Sequence, residues 1–140
     1  MNDTKLDRFV QAQDAVYETV LAELRAGRKR SHWIWYIFPQ IAGLGRSAMA
    51  QAYAIAALDE AVAYLAHPLL GPRLRECAAI VAKHAGTSAH AIFGDPDDIK
   101  FRSSMTLFAR AAPDQAIFSD CLRLFFGGVP DPATLAILQA

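Results

Sequence analysis

The chain has 140 residues, of which 54% are apolar and 20% are charged, so an intrinsically disordered protein is excluded and one domain with a single core is expected. The 14 basic residues balance the 14 acidic residues, which argues against a dedicated nucleic-acid-binding protein. The polar N-terminus and the lack of a long unbroken apolar run predict a cytoplasmic protein without membrane contact. Cys77 and Cys121, which form no CxxC motif, are expected as free, buried thiols.

Apolar residues recur at helical spacing along most of the chain. The spacing predicts one helix over residues 6–24, ended by Gly27, and either a broken helix or two short helices over residues 48–65. Later, Asp95 followed by a proline predicts the N-cap and first residue of a long polar helix, and Asp131 followed by a proline repeats the pattern. The expected fold is a mainly α, single compact domain over residues 1–140 with roughly six to eight helices.

The stretch HWIWYIFPQ, from His32 to Gln40, is apolar at nearly every position. Its periodicity therefore cannot separate a buried turn from a strand, and at most one short strand is expected, near Trp33–Phe38. The aromatic side chains either fill the core or form a wall on which a ring-shaped ligand stacks.

A glycine turn, GLGRS, follows the aromatic stretch. Gly43 and Gly45 let the backbone approach an anion, Arg46 offers a guanidinium fork, and a helix that begins after Ser47 would offer free N–H groups. Neither a P-loop nor a GxGxxG motif is present, so the pattern indicates a phosphate site without identifying its class.

A basic segment, Arg28–Arg30, precedes the aromatic stretch. Its cations either complement the C-terminal dipole of the first helix or recognise an acidic partner.

The segment GDPDDIKFRSSMT places many polar groups on one helix. Asp97 and Asp98 are typical of a helix first turn, and they are also the available candidates for a general base. Lys100, Ser103 and Thr106 have no evident structural role and are predicted to face a ligand. The four histidines lack metal-ligand spacing, so neither a metal nor a cofactor is expected.

Several long strings, in order, carry a resemblance over nearly the whole chain. ELRAGRKRSHWIWYIFPQIAGLGRS, YLAHPLLGPRL and IFGDPDDIKFRSSMTLFA resemble the small bacterial proteins grouped as domain-of-unknown-function family 1810. The resemblance implies a single, mainly α-helical domain and no established reaction. Members often carry the label calpastatin, which describes a disordered polar inhibitor and does not suit this apolar composition. At the level of the fold alone, the family is distantly similar to helical domains that handle ADP-ribose-type nucleotides.

These observations lead to one leading hypothesis and one alternative. The leading hypothesis is binding of a phosphate-bearing small molecule of the nucleotide or ADP-ribose class, with glycosidic or phosphoester hydrolysis if the protein is an enzyme. The alternative is a non-catalytic protein-interaction module that uses the Arg28–Arg30 patch and a partner of unknown identity. The predicted ligand-binding residues are His32, Trp33, Trp35, Gln40, Gly43, Gly45, Arg46, Ser47, Lys100, Ser103 and Thr106.

Overall fold

The structure, a computed structural model, describes residues 4–139 and the side chains of residues 5–139. Within that range the chain forms ten α-helices, more than the number expected, because three of them span only four or five residues and carry no readable periodicity. The helices are α1 (Thr4–Asp14), α2 (Tyr17–Arg25), α3 (Ile34–Ile37), α4 (Ala48–Ala52), α5 (Leu58–Ala66), α6 (Leu70–Ala82), α7 (Ala89–Phe93), α8 (Asp97–Ala111), α9 (Ala116–Phe126) and α10 (Pro132–Gln139). The mainly α fold class is confirmed.

The helix predicted over residues 6–24 is two helices, α1 and α2, with a break before Tyr17. The position that continues the apolar stripe at the end of α1 is Gln13, which is 1% exposed. Its amide nitrogen donates to the Tyr36 carbonyl at 2.7 Å and to the Tyr64 hydroxyl at 2.9 Å. This buried amide joins α1 to α3 and α5 through polar contacts, and its burial could not be read from an apolar pattern.

The segment Trp33–Phe38 forms the single helical turn α3 and no strand. The Ile37 N–H donates to the Trp33 carbonyl and the Phe38 N–H to the Ile34 carbonyl, at 3.2 and 3.0 Å. Phe38 is fully buried and packs edge-on against Phe101, with ring centroids 4.9 Å apart. The aromatic stretch therefore belongs largely to the core, as one of the two alternatives held.

Helix α8 lies at the centre of the fold and packs against α5, α7, α9 and α10. Phe101, Met105 and Phe108 are fully buried on the predicted face. Because neighbours surround α8, the polar residues of its middle turns are buried as well. Pro96 takes the N-cap position and the helix begins at Asp97, one residue later than predicted from an N-cap at Asp95. Asp97 and Asp98 lie in the first turn, as expected.

Two further expectations concern the thiols and the bilayer. Cys77 and Cys121 are buried and free, and burial raises the pKa of each thiol to about 12, so both stay protonated at neutral pH. Between residues 4 and 139, no helix has both the length and the apolar character needed to cross a membrane.

Candidate functional site

Residues 40–55 leave the helical body as one excursion whose two ends are joined. The Ala42 N–H donates to the Ile55 carbonyl and the Ile55 N–H donates to the Gln40 carbonyl, both at 2.8 Å. From α1, the Arg8 guanidinium donates to the carbonyls of Ala52 and Ala54, at 2.9 and 2.8 Å. We call this segment the clamped excursion, because its ends are held by main-chain and arginine hydrogen bonds.

Two glycines and a serine shape the tip of the clamped excursion. Gly43 has φ of +104°, a conformation that strains other residues. A Cβ on Gly45 would lie 2.4 Å from the Ala50 Cβ, so glycine is required there for the turn to pack on α4. Ser47 caps α4, since its hydroxyl accepts from the Ala50 N–H at 3.1 Å, as the cap prediction required.

A cleft opens between the clamped excursion and the aromatic turn α3. It encloses about 130 Å³. Its lining combines aromatic rings, two amide side chains and glycine backbone, and the lining residues are Trp35, Gln40, Ile41, Ala42, Gly43, Gly45, Ala50, Gln51, Tyr53 and Ala54. We call this feature the Trp35 cleft.

Trp35 lines the cleft and also contacts a positively charged side chain. The Lys100 ammonium lies over the indole ring, 5.3 Å from its centroid. The indole Nε1 is buried and has no hydrogen-bond acceptor in the described part of the chain. A buried donor without a partner is uncommon and calls for an explanation.

Trp33, two residues earlier, has the opposite environment. It is 1% exposed, the Lys29 ammonium lies 5.1 Å from the centroid of its ring, and its Nε1 donates to Glu23 at 2.9 Å. Asp97 connects the two sites, because one carboxylate oxygen lies 2.7 Å from Lys29 Nζ and the other 3.6 Å from Lys100 Nζ. The two tryptophans, two lysines and Asp97 thus form one network of charged and aromatic side chains.

Glu23 links that network to helix α2. Burial alone would raise the pKa of its carboxyl group. Hydrogen bonds from the Ser31 hydroxyl, the Arg30 and Ser31 N–H groups and the Trp33 indole outweigh burial and lower the pKa to about 2. Glu23 is therefore a carboxylate at neutral pH and fixes the basic segment against α2.

The structure brings together only part of the predicted ligand-binding set. Trp35, Gln40, Gly43 and Gly45 line the Trp35 cleft, and Lys100 lies above its indole wall. Arg46 and Ser47 follow Gly45 on the exposed rim of the turn. The exposed His32 and the buried Trp33 are not part of the cleft wall.

Ser103 and Thr106 face the beginning of α10 and not the cleft. The Ser103 hydroxyl lies 3.0 Å from Asp131 Oδ2, and the Thr106 hydroxyl accepts from the Asp131 N–H at 2.9 Å. The Asp131 carboxylate also accepts from the Thr134 N–H at 3.0 Å, which confirms it as the cap of α10. Both side chains are buried, so their structural role, which we did not expect, is to hold α10 on α8.

The two candidate bases are engaged with neighbours. Asp97 is paired with both lysines. The Asp98 carboxylate lies 3.5 Å from His90 Nδ1 through one oxygen and accepts from the Ile99 N–H through the other. Neither carboxylate is part of the wall of the Trp35 cleft.

Sequence reasoning missed Gln51 and Tyr53 as cleft residues. Gln51 Nε2 donates to the Arg46 carbonyl at 2.8 Å, and the Tyr53 ring packs 5.2 Å from Tyr36. Both lie after the glycine turn in a segment that reads as an alanine-rich helix. The available signal was the short stretch of chain from Gly45 to Tyr53. A helix of five residues in that stretch brings the chain back to the point at which the excursion began.

The predicted basic patch is split by the fold. Arg28 and Arg30 are exposed, whereas the Lys29 side chain is 5% exposed and turns inward to Asp97. The Lys29 ammonium is therefore directed toward Asp97, although Arg28, Lys29 and Arg30 together border a groove of about 390 Å³. Consecutive residues in this irregular segment point in different directions, so a run of cations in the sequence does not reveal which of the side chains is exposed.

Comparison with known proteins places this geometry in a family. No curated protein matches the sequence significantly. The crystal structure of the conserved hypothetical protein Rv1873 from Mycobacterium tuberculosis is similar, with 53% sequence identity, 96% of each chain covered and a TM-score of 0.95. The family described as "Protein of unknown function (DUF1810)" matches residues 3–138, and the chain belongs to this family.

Proposed function

We propose that the protein binds a small molecule of the nucleotide or ADP-ribose class in the Trp35 cleft, with a planar ring against Trp35 and a phosphate toward Arg46 and Lys100. The observation that carries the proposal is the buried indole N–H of Trp35, which has no acceptor within the described residues. An unpaired buried donor costs about 1–3 kcal/mol, and an acceptor atom on a ligand would remove that cost.

The charges around the cleft suit an anionic ligand. Lys100 lies over the indole ring, and the exposed Arg46 follows the glycine turn directly. The cleft wall itself carries no carboxylate among the residues described. A phosphate near this rim would therefore meet two cations and glycine backbone.

The size of the cleft limits how much of a ligand it encloses. Its volume of about 130 Å³ is below the roughly 300–1,000 Å³ of sites that bury a whole drug-sized ligand. The proposal is therefore that one ring enters the cleft while sugar and phosphate groups lie across the outer face of the turn.

The proposal stops at binding. Hydrolysis requires a base that reaches the bound ligand, and Asp97 and Asp98 are both engaged outside the cleft wall. The predicted hydrolytic reaction has no further support from the arrangement of side chains.

The test is a thermal-shift and calorimetric titration with AMP, ADP-ribose, NAD, adenosine and ribose 5-phosphate. A ligand at about 100 times its Kd should stabilise the fold by about 2.7 kcal/mol. Trp35→Phe keeps a ring but removes the donor, and Lys100→Gln removes the cation. We expect each variant to weaken binding about tenfold, equivalent to about 1.4 kcal/mol.

Arg110→Gln is the matched control. Arg110 is an exposed cation on the same helix, about 15 Å along α8 from Lys100. Its substitution should leave binding unchanged. The proposal is wrong if none of these compounds binds, or if binding persists undiminished in both Trp35→Phe and Lys100→Gln.

A further inference from the structure

A second surface, which shares no lining residue with the Trp35 cleft, combines basic side chains with apolar ones. One face of α6 and the end of α2 border a groove of about 340 Å³. Its lining residues are Arg25, Glu76, Ala79, Ile80, Lys83 and His84, and those from α6 recur three and four apart on one helix face. We call this feature the basic groove.

The first exposed arginine of the loop after α2 lies next to the basic groove. Gly27 has φ of +75° and lies so close to α6 that an added Cβ would be 3.2 Å from the His84 ring. This contact joins the end of α2 to the end of α6. Arg28 follows Gly27 directly, so its exposed side chain begins beside the same rim.

The cations of this surface are not neutralised internally. Some basic side chains of this protein pair with carboxylates, as Arg73 does with Asp14 at 2.9 Å. Within residues 4–139, by contrast, no carboxylate lies within 4.0 Å of a basic nitrogen of Arg25, Arg28, Arg30 or Lys83. These four exposed cations are therefore available to a negatively charged partner.

The floor of the groove is apolar, and its lining includes one carboxylate, that of Glu76. Ala79 and Ile80 lie between the charged residues of α6. The Glu76 carboxylate accepts from the Tyr17 hydroxyl at 2.6 Å. A partner would therefore bring negative charge to the arginine and lysine rim and an apolar side chain to Ala79 and Ile80.

We propose that the basic groove, together with Arg28, docks an acidic peptide segment of another protein. The apolar floor of Ala79 and Ile80 suits an apolar peptide side chain, whereas the bases of a single-stranded nucleic acid would stack on aromatic side chains, which the lining of the groove lacks. Formal neutrality of the whole chain agrees with a peptide partner. This docking is independent of the ligand proposed for the Trp35 cleft.

The test is fluorescence anisotropy with the full chain and three labelled probes. The first is a pool of short peptides in which Asp or Glu alternates with Leu, Ala or Phe, the second is the same pool with Lys and Arg in place of the acids, and the third is single-stranded polyuridylate. The acidic pool should bind, the basic pool should not, and raising the salt from about 0.05 to about 0.2 M should weaken the binding several-fold.

Two matched double variants locate the binding. Arg25→Gln with Lys83→Gln should weaken the acidic pool about threefold to tenfold, as expected for two exposed charge contacts. Arg110→Gln with Arg123→Gln removes the same charge elsewhere and should have no effect. Ala79→Asp, a partly exposed position, should abolish binding while the Trp35→Phe variant binds as the unmodified chain does.

The proposal is overturned by equal binding of the acidic and basic pools, or by equal losses in the two double variants. Tighter binding of polyuridylate than of the acidic pool, lost in Arg25→Gln with Lys83→Gln, would assign the surface to nucleic acid and also overturn it.

Discussion

Trp33 and Trp35 are two residues apart, and each lies beneath a lysine ammonium, yet the fold treats them in opposite ways. Successive residues of a helical turn are rotated by about 100°, so side chains two positions apart point toward nearly opposite sides. Trp33 therefore turns toward α2, where Glu23 accepts from its indole. Trp35 turns toward the clamped excursion, where its indole N–H has no acceptor among the described residues. The comparison teaches that the partner of the indole N–H, and not the residue type, separates a tryptophan that is satisfied within the fold from one that is left unpaired.

The largest effect should come from truncating each tryptophan. Trp33→Ala should lower the free energy of unfolding by about 3–5 kcal/mol, because a fully buried ring is lost. Trp35→Ala should cost about 1–2 kcal/mol, since part of its ring is exposed. Urea unfolding monitored by far-UV circular dichroism measures both. Equal losses would contradict the contrast between the two sites.

A smaller effect should separate the two lysines that share Asp97. Asp97→Asn leaves Lys29, whose side chain is 5% exposed, without its carboxylate, at a cost of about 2–4 kcal/mol. Lys100→Gln keeps the Lys29–Asp97 pair and should cost about 0–1 kcal/mol. Thermal unfolding at low and high salt checks this, because salt screens the exposed pair more than the buried one. A cost for Lys100→Gln that matches Asp97→Asn would show that the two lysines are equivalent.

The smallest effect concerns Glu23 and depends on pH. Its folded pKa of about 2 lies below the ordinary value of 4.5, so its stabilisation is present above pH 4.5 and is lost as the pH falls toward 2. Glu23→Gln should therefore destabilise the fold by about 1–2 kcal/mol at pH 7, through weaker hydrogen bonds to Ser31 and Trp33. The difference from the unmodified chain should close between pH 4.5 and 2.

Urea midpoints across that pH range measure the Glu23 effect. Glu18→Gln, on the exposed face of the same helix, controls for the loss of a negative charge on α2. A stability difference for Glu23→Gln that is independent of pH would refute the role assigned to this carboxylate.

Much of the fold could be predicted because local rules agree with tertiary packing in the late helices. The apolar face of α8 and the cap of α10 at Asp131 both follow the sequence pattern. The early chain was harder, since Gln13 occupies a core position and finds its partners on α3 and α5. The aromatic turn α3 was harder still, because an unbroken apolar run has no period to read.

The candidate site was predicted where local chemistry dominates. Gly43 and Gly45 were predicted because glycine lets the backbone approach an anion, and both line the Trp35 cleft. Ser103 and Thr106 were assigned to a ligand because Asp131, their partner, is 28 and 25 residues away along the chain. A polar helix residue looks available in a sequence until the distant backbone or carboxylate that satisfies it is known.

The clamped excursion has a consequence for how this protein can diversify. Its ends are fixed to each other by two main-chain hydrogen bonds and to α1 by Arg8, and Ile41 and Ile55 near those ends are buried in the core. Lengthening such a closed loop costs only about 0.6 kcal/mol for each doubling. Insertions beside the exposed Arg46 should therefore cost little free energy of folding, whereas replacing Gly45 or Ser47 would disturb the packing of the turn on α4 or the cap of that helix. The tip can therefore vary in length while the helical body stays the same.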